Sequence, residues 1–260
     1  MLVYPQLPDG ALSQFPVVRS HRYRTLVNTA ADGRAIKLAD PGAETVEWQL
    51  TYCGLSDSEM QTLLQFFSDA EGSLNGFTFV DPVGNLLAWS GDLTNAVWDM
   101  GPFLTVAGGI ADPQGGSNAW HLVNSGAGAQ DLSQTAMPPG GYVYCLSIYA
   151  RSSAAAKVTL LLGGNRYDRA VGPGWQRISC TTVVDATATA VTFGIEIGAG
   201  TTVDVYGMQA EPQSHPSAYK VSTTGGCYEN ARLRDDTLSV TSTGVNCHSA
   251  TVNIFYASHL

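Results

Sequence analysis

Val46–Pro82, VEWQLTYCGLSDSEMQTLLQFFSDAEGSLNGFTFVDP, is the stretch that sets the fold. In Val46-Glu47-Trp48-Gln49-Leu50-Thr51-Tyr52, apolar and polar residues alternate with the two-residue period of a strand that buries one face and wets the other. Ser56-Asp57-Ser58-Glu59 has the spacing of a capping box, in which serine and glutamate satisfy each other's orphan groups in the first helical turn. Leu55 and Met60 stand where a hydrophobic staple packs, and Met60, Leu63, Leu64 and Phe67 fall at i, i+3, i+4 and i+7. A helix is therefore predicted from about 57 to 69, broken by Glu71-Gly72-Ser73. Gly76-Phe77-Thr78-Phe79-Val80 then reads as a short strand, stopped by Asp81-Pro82 because proline restricts the residue before it and has no N–H for a ladder.

Working outward, Arg22–Asn28 and Arg34–Leu38 flank the turn dipeptide Asp32-Gly33 and read as a hairpin. From Asn85 the texture changes to glycine, alanine, serine and threonine, with short strand-like runs separated by turn signals, the pattern of a β-sandwich. Strands are predicted at Ala119–Val123, Tyr142–Arg151, Lys157–Leu162, Gln176–Val183, Ala190–Ile197 and Val203–Ala210, with no second helix. After Thr223-Thr224-Gly225-Gly226, alternating strands return at Thr237–Ser242 and Ala250–Tyr256. That tail is too short to form a core alone, so it must complete a sheet begun upstream. The predicted fold class is mainly β. A small α+β domain, an antiparallel sheet plus one helix, is built from residues 1–84 and 223–260, and an inserted β-sandwich (jelly roll) occupies 85–222.

Composition narrows the function classes. The chain has 260 residues, 44% hydrophobic and 13% charged, enough apolar matter for a core and too little charge for a disordered chain. No apolar run approaches the roughly 20 residues of a spanning helix. Met1–Gly10 has neither the basic start nor the apolar run of an export signal, so a soluble, unexported product without membrane insertion is expected. Twenty-two acidic residues against 13 basic ones disfavour nucleic acid, whose binders concentrate cations to neutralise phosphates. Residues 85–222 carry six basic and nine acidic residues, which points to a neutral partner. The five cysteines are odd in number and lack any C-x-x-C, so neither a disulfide framework nor a zinc site is signalled. They read as small buried apolar side chains, with a Cys227–Cys247 pairing across neighbouring strands left open.

Two resemblances rest on particular residues. Glu47–Tyr52, the capped helix ending Leu63-Leu64-Gln65-Phe66-Phe67, and Asn75–Pro82 resemble the core of lambda-type phage minor tail and distal tail proteins, also found in gene transfer agents. That family ends in a strand pair, which Arg232–Ser242 and Cys247–Ala257 would supply. The insert resembles the carbohydrate-binding-like jelly rolls of phage tail and baseplate proteins. The residues that carry this are Asn85-Leu86-Leu87 with Trp98, Pro113-Gln114-Gly115 leading to Ala119, Tyr144–Arg151, Gly174–Ser179, and Tyr206–Glu211 followed by Pro216-Ser217-Ala218-Tyr219. The loop before Gly174-Trp175 is short compared with those relatives. The resemblance implies a structural, non-enzymatic tail-tip protein of the virion, assembled in the host bacterial cytoplasm. Its small domain would form a homo-oligomeric ring, a hexamer, joining tail tube protein to tip and hub or baseplate proteins. Its projecting sandwich would serve host attachment through cell-surface glycan. A closed ring needs two different patches that meet head to tail, and the edges of the short sheet are the candidates.

Sugars are recognised by flat aromatic faces together with planar polar groups that fix hydroxyls. Trp89, Trp98, Trp120, Tyr149, Trp175 and Tyr206 are candidate platforms in the insert, against the alternative that tryptophans plug its core. Alternation puts Tyr144, Leu146 and Ile148 on one face and Ser147, Tyr149 and Arg151 on the other, while Trp175 and Arg177 share a face opposite Gln176 and Ile178. The candidate carbohydrate-binding residues are therefore Tyr149, Arg151, Trp175, Arg177 and Trp120. No cofactor is implied. Sandwiches of this type often hold calcium, however, and Asp92, Asp204 and Glu211 are the candidate ligands for a structural ion, with solvated turns as the alternative. No G-x-S-x-G, H-E-x-x-H or phosphate loop is present, and the five histidines lack metal-ligand spacing. The rival expectation is a secreted carbohydrate-active enzyme or its binding module, which would be a monomer.

Overall fold

A computed structural model describes residues 2–8 and 12–257. In chain order the elements are β1 (Val17–Thr29), β2 (Ala35–Leu55), α1 (Asp57–Asp69), β3 (Phe77–Val80), β4 (Asp99–Met100), β5 (Leu104–Ile110), β6 (Ala119–Asn124), β7 (Gln130–Ala136) and β8 (Val143–Arg151). There follow β9 (Ala156–Leu162), β10 (Asn165–Val171), β11 (Gln176–Val183), β12 (Val191–Ile197), β13 (Thr202–Glu211), β14 (Cys227–Leu233), β15 (Val240–Gly244) and β16 (Cys247–Ala257). The chain divides into two compact units. One comprises Met1–Pro8, Ser13–Phe79 and Tyr228–Leu260, the other Asp9–Leu12 and Val80–Cys227. The polypeptide changes unit at 79/80 and again at 227/228, where the sequence predicts 84/85 and 222/223. Parts of the predicted terminal segments, residues 1, 9–11 and 258–260, lie outside the described residues.

The first unit is an antiparallel sheet in the order β1-β2-β16-β14-β3, with β15 also on β16 and with α1 as its helix. Ser56 caps α1: its Oγ accepts the Glu59 N–H at 3.3 Å, and Glu59 Oε2 accepts the Ser56 N–H at 2.8 Å. The buried side of α1 is Met60, Leu63 and Phe66. Leu64, assigned to that side by spacing, is instead exposed, and Phe67 is half-buried, because the core is met by an i, i+3, i+6 row. An aromatic cluster fills the unit. The Trp48 ring lies 4.9 Å from Phe79 and 4.7 Å from Tyr228, Tyr4 lies 5.0 Å from Phe66, and the Tyr4 and Tyr52 hydroxyls meet at 2.7 Å.

Three predicted elements are redrawn. The hairpin's return strand and the Val46–Tyr52 strand are one 21-residue strand, β2. Its Pro41 and Gly42 are absorbed in an irregularity where Arg22 faces Thr45 and Arg24 faces Asp40, so that proline's missing N–H falls outside the regular ladder. The predicted strand Arg232–Ser242 is interrupted, Leu233 closing β14 and Val240 opening β15. Cys227 and Cys247 form no disulfide with each other. The register that pairs Arg232 with Phe255 and Gly244 with Cys247 sets them far apart along β14 and β16.

The second unit is a β-sandwich of two five-stranded antiparallel sheets, β10-β9-β12-β7-β4 and β11-β8-β13-β6-β5. Successive strands switch repeatedly between the sheets, as in a jelly roll. Tyr144, Leu146, Ile148 and Ala150 from β8, and Phe193, Ile195 and Ile197 from β12, turn inward and are buried, with the Tyr144 and Phe193 rings 5.9 Å apart. Burial pushes the Cys180 thiol up to about 12, so this cysteine behaves as a core side chain.

Candidate functional site

Directly opposed residues of an antiparallel pair share a face. The register of β11, β8 and β13 therefore sets Arg177, Tyr149 and Tyr206 in one row on the outer face of the second sheet. The next row is Arg151, Asp204 and His121, from β8, β13 and β6. Trp175, immediately before β11, joins them: the Arg151 guanidinium lies 4.6 Å over its ring. The Arg177 guanidinium lies 5.4 Å over the Tyr149 ring, and the Tyr149 and Tyr206 rings are 6.1 Å apart. Four predicted residues, Tyr149, Arg151, Trp175 and Arg177, thus meet as two cation–aromatic pairs on one sheet face.

Second partners fix these groups. Arg151 Nε donates to Asp204 Oδ2 at 2.9 Å, and Asp204 Oδ1 meets His121 Nδ1 at 2.6 Å. Arg177 Nη2 donates to Ser147 Oγ at 2.9 Å, while Arg177 Nε is buried without a partner. The Tyr206 hydroxyl donates to Gln114 Oε1 at 2.9 Å, and burial, with Asp112 and Tyr149 nearby, pushes its pKa up, so it stays a neutral donor. Gln114 is held out by a turn built on Asp112. Burial pushes the Asp112 carboxyl up. Against that, the N–H groups of Asn118, Gly116 and Gln114 and the Asn118 side-chain amide hold it below the usual aspartate range. The result is a surface on which the Tyr149 and Trp175 rings are half-buried and Tyr206 is buried, with fixed planar polar groups between them.

Trp120 does not join this row. It pairs with Val205, a core residue, so its side chain is on the opposite face of the sheet from Tyr149. Its ring rests on Gly108, where an added Cβ would come within 3.1 Å, and it lines a cavity of about 290 Å³. His121, its neighbour, takes the outer position. Sequence spacing alone could not choose between them, because the choice depends on which residue of β13 each one faces.

The candidate calcium ligands are also dispersed. Asp92 Oδ1 accepts from the Thr94 N–H at 3.0 Å and Oγ1 at 2.6 Å, closing its own turn. Asp204 is engaged by Arg151 and His121. Glu211, fully buried, accepts from the Ser217 N–H at 3.0 Å and Lys220 Nζ at 3.2 Å. Asp204 and Glu211 stand near opposite ends of β13, about 23 Å apart at the usual rise per strand residue, so they cannot share one ion. Among the described residues no group of three His, Cys, Asp or Glu side chains gathers as a metal site.

No protein-family model and no curated protein matches the chain. Solved structures do. The C-terminal family 22 carbohydrate-binding module of Clostridium thermocellum Xyn10B is 12% identical, covers 54% of this chain and 100% of its own, and has a TM-score of 0.43. The CBM22-1 xylan-binding domain of Paenibacillus barcinonensis Xyn10C is 13% identical over 52% of this chain and 99% of its own, with a TM-score of 0.40. The enzymatically active domain of tailspike protein 4 of bacteriophage CBA120 is 15% identical over 50% of this chain, with a TM-score of 0.38, and this chain spans 22% of that one.

Proposed function

We propose that the chain is a non-enzymatic glycan-binding protein whose sandwich unit adheres to a neutral surface polysaccharide through the outer face of β11, β8, β13 and β6. The observation that carries this is the pairing of Arg151 on Trp175 and of Arg177 on Tyr149 across the outer face of one sheet, where all four are half-buried. A ring held by a guanidinium presents a fixed apolar plane to a pyranose, and Asp204, His121 and Gln114 supply acceptors and donors at its edges. Asp204 is engaged by Arg151 and His121, and Asp131, raised by burial and by Glu196, hydrogen-bonds that glutamate directly, so that one pair is closer than the roughly 5–9.5 Å between the two carboxyls of glycoside hydrolysis.

A glycan array with the full chain tests the reading. Binding should fall at least about tenfold in a Trp175→Ala, Tyr149→Ala double variant, since two stacking planes are lost. Equal signal from the variant, or no glycan retained by the native chain, refutes it.

The first unit is proposed as the ring-forming body of a tail tip, a hexamer joining tube to baseplate proteins in the virion, after assembly in the bacterial cytoplasm. That placement rests on the resemblance of Glu47–Tyr52, α1 and Asn75–Pro82 to distal tail proteins. One structural observation supports self-association. From Arg22 to Thr29, β1 pairs only with β2, and both faces of this ribbon are exposed, with Leu26, Ile36 and Leu38 together on one of them. Isolated two-stranded ribbons are marginal in water, so a partner surface is needed to hold it. The same sandwich face equally suits the binding module of a secreted carbohydrate-active enzyme. A monomer in solution favours that second reading.

A further inference from the structure

The cavity beside Trp120 is separate from the proposed glycan face, and its origin lies in strand pairing. β6 begins at Ala119 and meets β13 only as far as Val205, while beyond it β13 bulges between Tyr206 and Gln209. Between Val205 and Ala210, whose carbonyl accepts the Leu86 N–H at 2.9 Å, that flank of β13 has no strand beside it among the described residues, and a space of about 290 Å³ opens there. Ile148, Val205 and Met208, side chains of the sandwich core, line it. Trp120, Tyr206 and Tyr219 also line it. The Trp120 indole is anchored by donation to Gly91 O at 3.3 Å, and the Tyr206 and Tyr219 rings are 5.2 Å apart. Tyr219 lies flush against the bulge because position 207 is glycine at φ 67°, where a Cβ would stand 3.0 Å from the ring. The polar groups are few: the Asn118 amide, and the Ser90 and Tyr219 hydroxyls, which meet at 3.2 Å.

The lining chooses the guest. The volume lies at the foot of the range of roughly 300–1,000 Å³ for drug-sized ligands, so the space holds a single ring or substituent. A bare polyol would set hydroxyls against Ile148, Val205 and Met208 with nothing to pair them, a heavy loss. A short acyl group has the required division: its methyl suits the apolar lining, while its carbonyl and N–H suit the Asn118 amide and the two hydroxyls. Tyr206 belongs both to this lining and to the row that includes Tyr149, so its ring lies where the two surfaces adjoin.

We propose that this cavity is an acyl-group subsite that selects N-acetylated sugars. The inference rests on the reading of the sandwich as a glycan binder. The test is NMR of the full chain titrated in parallel with N-acetylglucosamine, glucosamine and glucose, following the Trp120 indole N–H, the Met208 methyl and the Trp175 indole N–H. The proposal expects saturable shifts of Trp120 and Met208 with N-acetylglucosamine alone and saturation transfer to its acetyl methyl. Asn118→Ala also removes the donation to Asp112 Oδ2, so protection of the Gly116 amide is followed beside it; with that protection kept, the shifts should weaken roughly tenfold, the loss of one hydrogen-bonding side chain. Equal responses of Trp120 and Met208 to glucose overturn the subsite. So does a response confined to Trp175, which leaves the glycan face standing. Silence of all three signals with every sugar overturns the subsite, and with no glycan retained on the array it removes the glycan reading as well.

Discussion

Single residues decide what the sandwich face presents. Asp112 organises the turn that delivers Gln114 to Tyr206 and Asn118 to the cavity, and its carboxylate is held below the usual aspartate range by the N–H groups it accepts. A depressed carboxylate contributes stability above its unfolded pKa and loses it as pH falls through the lower folded value. Ordering of residues 112–118 should therefore be complete at neutral pH and weaken only in acid below the ordinary aspartate range. Hydrogen exchange at Gly116 and Asn118, corrected for intrinsic rates, should show protection at pH 6 and loss toward pH 3, with Asp112→Ala unprotected throughout. Unchanged protection in that variant would show that Asp112 does not hold the turn. That Tyr149 shares a face with Arg151, and Trp175 with Arg177, was legible at this scale because alternation sorts side chains within a strand; which guanidinium covers which ring was not. Asp204 and His121 as their partners were not, because alternation says nothing about which strands lie side by side.

Among the elements, α1 is the most locally determined: Ser56 and Glu59 satisfy each other's backbone groups without help from distant chain. Ser56→Ala should cost about 1 kcal/mol of helix stability, read from exchange protection of the α1 amides. The strands poor in β-branched and aromatic residues escaped the pattern. β7 reads QDLSQTA, β10 NRYDRAV and β14 CYENARL, and β5 contains Gly108-Gly109 before its last residue, Ile110. Neighbouring strands impose extended backbone on these segments, whose own propensity for it is weak. The β1–β2 ribbon is the element whose exposure calls for a partner. Leu26→Asp with Leu38→Asp puts two charges on its apolar face without touching the core. Native mass spectrometry should then show monomer in place of the ring proposed for the native chain, with an unchanged melting temperature, whereas an unaltered oligomer would assign the contacts elsewhere.

For the whole molecule, the decisive fact is that β16, from the end of the chain, pairs with β2 along Thr45–Leu55 in the interior of the first sheet. A chain truncated after residue 227 should leave Trp48, Leu50 and Tyr52 without their cover and fail to fold residues 13–79, while residues 80–227 keep the near-ultraviolet circular dichroism of a packed sandwich. A truncated chain whose residues 13–79 stay folded would contradict this pairing. The sequence by itself determined the elements whose reasons are local: the capped helix, the alternating strand Val46–Tyr52, the aromatic strand ending at Asp81-Pro82, and the change of texture at Asn85. Tertiary structure alone decided the partners of each strand, the side of the sheet that Trp120 occupies, the separation of Asp204 from Glu211, and the gap beside β13. Those features depend on register between residues tens of positions apart, and a one-residue slip in register would exchange the two faces of a strand while leaving its sequence pattern the same.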